Sequence, residues 1–188
     1  MHDIEPYYNW RHLYTAEEDE QSMFYQREYS EFEYNQSVYN YYIHPQWDEI
    51  DSRTLYIKLL YVDYAIGACI IEMIGEWNDV VENDIQTLKR NVIDWLVAKK
   101  ISKFILIAEN VMNAHISSQD YYEEWYEDIR DMGGWIVCLN TSHQVESEFR
   151  QAKIHHYMDF IYDEQWRTYK PDFWISSIES SMDKEIAE

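Results

Sequence analysis

The sequence predicts an α/β domain in which an N-terminal β-hairpin is followed by βαβ units, giving a mixed sheet of four to five strands with flanking helices. Three observations predict it. Lys103-Phe-Ile-Leu-Ile-Ala-Glu-Asn110 is a short apolar run bounded by polar residues, the pattern of a central strand covered on both faces. Amphipathic stretches at helical spacing precede and follow it, and upstream two β-rich runs joined by a short Gly-containing loop read as the hairpin.

Composition sets the outer limits. A chain of 188 residues can hold one domain of ordinary size with an extension. Thirty-six acidic against fifteen basic residues give a formal net charge of −21. That balance argues against extended contact with nucleic acid or an anionic membrane surface, where Lys and Arg must neutralise phosphates, and leaves a basic partner, a divalent cation or simple solubility. Eighteen Tyr and eight Trp beside four Gly and three Pro are the reverse of a disordered composition. The N-terminus has no basic start and no apolar h-region, and no apolar run approaches the roughly 18 residues of a membrane span, so a cytoplasmic location is expected. Cys69 and Cys138 fall in apolar strand-like runs and read as reduced core residues.

Residues 1–52 form an acidic, tyrosine-rich extension to a single α/β domain over 53–188. They hold nine of the eighteen Tyr and twelve acidic residues against two Arg. Thr15 is placed to cap a short helical turn up to Gln21. Phe24, Tyr25, Tyr29, Phe32, Tyr34, Tyr39, Tyr41 and Tyr42 follow among acids and Gln. Two uses fit them: rings laid across the domain with their hydroxyls in water, or an aromatic surface for a partner.

The domain itself opens on Thr54–Tyr64, turns through Ala65-Ile-Gly67 and returns along Ala68–Trp77, with Lys58 and Glu72 able to face one way while their neighbours pack. Asn78 or Asp79 can start a helix whose Val81, Ile85, Leu88, Val92 and Leu96 recur along one face, with Lys89, Arg90, Lys99 and Lys100 collecting toward its C-terminal end. The central strand then makes a βαβ unit, with a right-handed crossover and parallel strands. Ser117 or Ser118 is placed to cap a second helix carrying Tyr122, Trp125, Ile129 and Met132, which Gly133-Gly134 ends. Trp135–Asn140 is the next strand. Thr141 or Ser142 caps a third helix with Val145, Phe149, Ala152, His156 and Phe160 on its inner face, and a last helix spans 173–187 with Trp174, Ile178 and Met182 aligned.

In such a sheet ligands collect beyond the carboxyl ends of parallel strands. Three polar loops are expected on that edge, one at Glu76-Trp-Asn-Asp79, one at Glu109-Asn110 with Asn113, His115 and Ser117, and one at Asn140-Thr-Ser-His143. Glu76, Asp79, Asn110, Asn113 and Asn140 are the binding candidates. Glu109, His115 and His143 are the candidates for acid, base or ligand roles. Asp79, Ser117, Ser118, Thr141 and Ser142 are also the residue types that cap helices. No nucleophile triad order, phosphate loop, dinucleotide fingerprint or zinc-binding His pair is present, so no cofactor and no metal are expected. His155 and His156, adjacent on a helix, are expected to diverge, and His44 with Asp48 is a remote chelate candidate.

The order hairpin, helix, strand, helix, strand, helix, with Ile71-Glu-Met-Ile-Gly-Glu-Trp77 before a long amphipathic helix, resembles the STAS domains of anti-sigma-factor antagonists over about residues 54–160. In that family a Ser at the start of the second helix, within Asp-Ser-Ser-Gly, is phosphorylated by a partner kinase. Here His115-Ile-Ser-Ser-Gln-Asp120 keeps the Ser pair but lacks the preceding Asp and the Gly, and the resemblance points to Ser117 as the phosphoacceptor position. Ile43-His-Pro-Gln-Trp-Asp48 and Gly75-Glu-Trp-Asn-Asp79 are similar to motifs of an uncharacterised bacterial protein family. The topology, the missing catalytic signatures and the aromatic extension together point to a non-enzymatic binding or regulatory module of STAS-like architecture acting through a protein partner or self-association. The alternative is a small-molecule or metal-dependent enzyme working at the strand ends.

Overall fold

In a computed structural model, residues 2–186 are described. The main sheet has six strands in the order β4 (Asp48–Glu49), β5 (Leu55–Asp63), β6 (Ala68–Asn78), β7 (Lys103–His115), β8 (Trp135–Leu139) and β9 (Asp159–Ile161). β5 and β6 form the expected hairpin, turning through Gly67 at φ 69, while β6, β7, β8 and β9 are mutually parallel. The predicted mixed sheet is therefore present. The short edges β4 and β9 complete it, and two and three residues are too few to show a period in sequence. A second sheet joins β1 (His2–Ile4), β3 (Tyr41–Ile43) and β2 (Ser37–Val38), in that order.

Strand alternation sends side chains to two faces. On one, Ile57, Leu59, Ile71, Met73, Phe104, Leu106, Ile136 and Cys138 pack against the helical side. That side comprises α1 (Asp84–Leu88), a π-helical turn (Lys89–Ile93) and α2 (Asp94–Ala98) in one continuous run, then α3 (Asp120–Arg130) and α4 (His143–Gln151). Leu88, Val92, Leu96, Tyr122, Trp125, Ile129, Val145 and Phe149 are their inward residues, as the periodicity predicted, whereas Val81 and Met132 lie beyond the helix ends and are exposed. On the other face Leu60, Ile70, Ile105, Ile107, Val137 and Leu139 meet Trp10, Trp166 and residues Trp174, Ile175 and Ile178 of α5 (Pro171–Ile186). Cys69 and Cys138 are buried free thiols.

Several boundaries differ from expectation. The first helix starts at Asp84, because Asn83 adopts φ 53 and the loop before it is held by side chains described below. The second starts at Asp120 with no side-chain cap, so neither Ser117 nor Ser118 caps it. The third is capped by Ser142, whose Oγ accepts from Val145 N at 3.3 Å, and it ends at Gln151, where Lys153 turns left-handed at φ 63. Phe160 thus lies on β9. His156 follows His155 in a 3₁₀ turn, where the two rings come within 4.3 Å and do not diverge as an α-helix would make them. Thr15 sits in a chain of turns with its Oγ1 buried and unbonded, and caps nothing. The last helix begins at Pro171, a residue suited to a first helical turn, and Ala187 lies outside the described residues.

The extension reaches all three apolar clusters of the molecule. Trp10 joins the α5 side, Ala16, Phe24 and Ile50 join the helical side, and Val38, Ile43 and Trp47 enclose Tyr56 and Ile74 under the small sheet.

Candidate functional site

The strand ends are staggered, and this decides what they can do together. β7 does not stop at Asn110, because β6 runs beside it as far as Asn78, which pairs with His115. β8 stops at Leu139, level with Ile107, so Glu109 emerges on the β8 side with no strand neighbour. Six residues of extended chain put Glu109 and His115 roughly 20 Å apart.

Around Glu109 the arrangement is closed. Its Oε2 accepts from Trp166 Nε1 at 3.0 Å and from Asn140 Nδ2 at 3.4 Å, and the Arg167 guanidinium engages both oxygens. Burial pushes its carboxyl up, but these donors outweigh it and hold Glu109 below the usual carboxylate range. A carboxylate so held is a poor proton acceptor near neutrality. Asn140, at φ 56, clasps Asp163 through both main-chain groups, donating to its carbonyl at 2.9 Å and accepting from its N–H at 2.8 Å.

Farther out lies an exposed polar group. His115 Nε2 is 3.0 Å from Glu76 Oε1 and 3.1 Å from Asn113 Nδ2, and Gln144 donates to Asn113 at 3.2 Å. His143 is exposed at the start of α4, and no hydrogen bond or ion pair among the described residues joins it or His115 to Glu109. Asn110 is half-buried opposite Ile74, and Ser117 is exposed ahead of α3. His44 accepts from Gln46 N while Asp48 turns to other partners, so that pair makes no chelate.

Asp79 is the hub of the helix start. Its Oδ1 accepts from Ile85 N at 2.9 Å and Trp77 Nε1 at 3.1 Å, and Tyr122 donates its hydroxyl to Oδ2 at 2.7 Å. Desolvation raises its pKa to about 6 despite these bonds. Asp84 ties the same loop down, accepting from Asn78 N at 2.7 Å and from the hydroxyls of Ser52 and Thr54.

Two charged clusters escaped the sequence reading. Asp94, Glu124 and Asp128 bring three carboxylates close enough to hold a metal ion. A cation is already there: the fully buried Lys89 ammonium pairs with all three, and Arg90 bridges Asp94 and Glu124. The second lies on the other face of the sheet, where Lys58 and Glu72 are direct cross-strand partners. They do face one way, but into the interior. Lys58 Nζ lies 3.5 Å from Asp48, 3.8 Å from Glu17 and 3.8 Å from the centre of the Tyr29 ring. Tyr29 and Arg27 complete the pairing of Asp48. Glu72 accepts from Tyr7 N at 2.6 Å, and Tyr7 in turn donates its hydroxyl to Arg167 O at 2.7 Å. Charged residues alternating inside apolar strands were the available signal, and it is ambiguous between an exposed face and a buried pair.

Burial raises the Glu72 pKa to about 7, opposed by the Tyr7 bond and Arg167 and reinforced by Glu109. The native state therefore binds a proton more tightly than the unfolded chain, and stability from this group is fully present below about pH 4.5 and is lost as pH rises through 7. Glu72→Gln keeps an acceptor for Tyr7 and removes the ionisation. Urea unfolding of both proteins is expected to give similar stabilities near pH 5, with the variant gaining on wild type by on the order of 2 kcal/mol by pH 8. Parallel pH profiles would show that Glu72 does not titrate this way.

The tyrosine-rich segment is partly packed and partly exposed. Phe24 is buried and Tyr29 is engaged with Asp48, but Phe32 is 88% exposed, Tyr39 57% and Tyr42 42%. Tyr34 packs edge-on against Tyr42 and His44 on the small sheet.

No protein-family model matches the chain, and no curated protein matches it. Among solved structures it is similar to the anti-sigma factor antagonist SpoIIAA in its unphosphorylated form, at 12% identity and a TM-score of 0.49 over 66% of this chain and 96% of that one. It is similar to the Bacillus cell fate determinant SpoIIAA in the phosphorylated form at 12% identity and 0.43, over 65% and 98% of the two chains. A Thermotoga maritima protein assigned as an anti-sigma factor antagonist aligns at 18% identity and 0.42, over 57% and 84%. These are likenesses of fold. The succession of hairpin, helix, strand, helix, strand and helix seen here is the order the sequence predicted. No helix among the described residues is long and apolar enough to cross a membrane.

Proposed function

We propose that the protein is a non-enzymatic binding module that acts through protein–protein contacts at its tyrosine-rich N-terminal surface. The observation that carries this reading is the set of large rings left in solvent along one segment, with Phe32 88% exposed, Tyr34 packed edge-on against Tyr42, and Tyr39 and Tyr42 exposed as well. Clustered exposed aromatics are the usual anchors of an interface and are unusual on a surface that meets only water. The strand-end groups favour the same reading from the other side, since Glu109, Asn140 and Asp79 are consumed by internal bonds. Acidic neighbours suit a basic partner better than a second copy of a chain carrying −21.

The test is quantitative recovery of associated proteins from native cells, with full-length wild type against Phe32→Ser/Tyr39→Ser/Tyr42→Ser. One or a few proteins are expected to be enriched at least about tenfold with wild type and lost with the variant, since each interfacial aromatic is worth about 1–2 kcal/mol or more. Identical recovery with both proteins removes the reading.

A further inference from the structure

A groove of about 160 Å³ opens between the segment around Glu33 and strand β4. Ile43, Trp47 and Tyr56, all buried, line its apolar part, and the exposed carboxylate residues Glu33 and Glu49 line it as well. We infer that this groove is a subsite for one lysine or arginine side chain of a basic partner segment, with the aliphatic stem on Ile43 and Trp47 and the cationic head between Glu33 and Glu49. The inference rests on the reading of the protein as a binding module and names the chemistry that its surface selects.

Size points to a side chain. At about 30 Å³ per water the groove holds the equivalent of about five waters, close to the five non-hydrogen atoms of a lysine side chain and far below the roughly 300–1,000 Å³ of small-molecule pockets. Charge fixes its sign. Among the described residues neither Glu33 nor Glu49 forms an ion pair, and neither do Glu28 and Glu31; Arg27 is committed to Asp48 and to the Glu49 carbonyl, and Lys58 to Asp48 and Glu17. His44, also in the lining, accepts from Gln46 N through Nδ1 and lies 3.6 Å from Glu5 through Nε2. An apolar lining that also carries two carboxylates without ion pairs is complementary to a long stem with a cationic tip. Residues 30–37 are exposed without interruption beside it, which leaves room for the rest of an extended segment.

The probe is a fluorescent peptide of alternating arginine and glycine, titrated with the full-length protein, beside the same peptide with citrulline, which keeps the shape of arginine without its charge. A general attraction to an acidic protein is controlled by Glu123→Gln/Glu127→Gln, an equal charge change on the exposed side of α3. Glu33→Gln/Glu49→Gln is expected to weaken arginine-peptide binding at least about tenfold, the citrulline peptide to bind at least about tenfold more weakly, and the α3 variant to change affinity less than about twofold. Equal losses in the two variants, equal binding of the two peptides, or no arginine-peptide binding at about 1 mM each overturn the groove assignment. If the groove fails while Phe32→Ser/Tyr39→Ser/Tyr42→Ser still strips the associated proteins, the module reading stands without it; if neither surface affects association, both fall.

Discussion

Replacing Gly75 by alanine is expected to cost at least about 4 kcal/mol, a large share of the roughly 5–15 kcal/mol that holds a domain folded. Gly75 sits at φ 116, where an L side chain is strained, and an added Cβ would stand 2.0 Å from Thr54 O. The obstacle is main chain, so no rotamer relieves it. Gly75 also opposes Leu55 at one end of the hairpin ladder, and Glu76 N donates to Thr54 O at 2.8 Å, so a displaced Thr54 loosens the first pairing of the sheet and the Ser52–Asp84 loop beside it. Gly133→Ala is the matched control: its φ is 68 but nothing lies within 4 Å of the new carbon, and the expected cost is about 1–2 kcal/mol. Tryptophan fluorescence in urea measures both. Equal costs at the two positions would mean that close approach at Thr54 is not what constrains residue 75.

Lys89→Met comes second, at about 3 kcal/mol. The ammonium is fully buried while Asp94, Glu124 and Asp128 keep 35–40% of their side-chain surfaces in water, so the loss belongs at the lower end of the range for breaking a buried ion pair. What makes it costly is the repulsion left among three carboxylates that the lysine had gathered. Adding Asp128→Asn to Lys89→Met should therefore recover part of the loss, whereas Asp128→Asn alone in wild type should destabilise. Simple additivity of the two changes in urea unfolding would show that the cluster is not coupled.

How much of this was legible follows from the length of the signals. The hairpin, the parallel strands and the inward faces of the helices were readable because each spans several periods of one pattern, as in Leu88, Val92 and Leu96 or Tyr122, Trp125 and Ile129. The start of the first helix was misplaced because Asp79 caps it from six residues upstream, through a loop whose shape depends on Ser52 and Thr54, far away in sequence. The length of β7 was hidden for a similar reason: Val111 and Ala114 continue the strand only because β6 is there to pair with them.

The residues leaving the strands could be named from the sequence, but not the partners they take. Glu109 stood out as a carboxylate leaving an apolar strand, and its partners Trp166 and Arg167 come from a stretch with no period, nearly sixty residues on, so nothing local announced that it would be neutralised. Lys58 and Glu72 show the same limit, since an alternating charged residue reads identically whether the opposite face is solvent or an N-terminal segment carrying Tyr7 and Trp10. The exposure of Phe32, Tyr39 and Tyr42 had no signal of its own, and only the fold separates them from Phe24, which has the same composition around it and is buried.

On the proposed reading, binding belongs to the tyrosine-rich surface and not to the strand ends. It is tested most directly by comparing associated proteins recovered with Phe32→Ser/Tyr39→Ser/Tyr42→Ser and with His115→Ala/His143→Ala, both at exposed positions. The aromatic variant is expected to lose its partners by at least about tenfold while the histidine variant recovers them as wild type does. Loss with the histidine variant and full recovery with the aromatic one would contradict it.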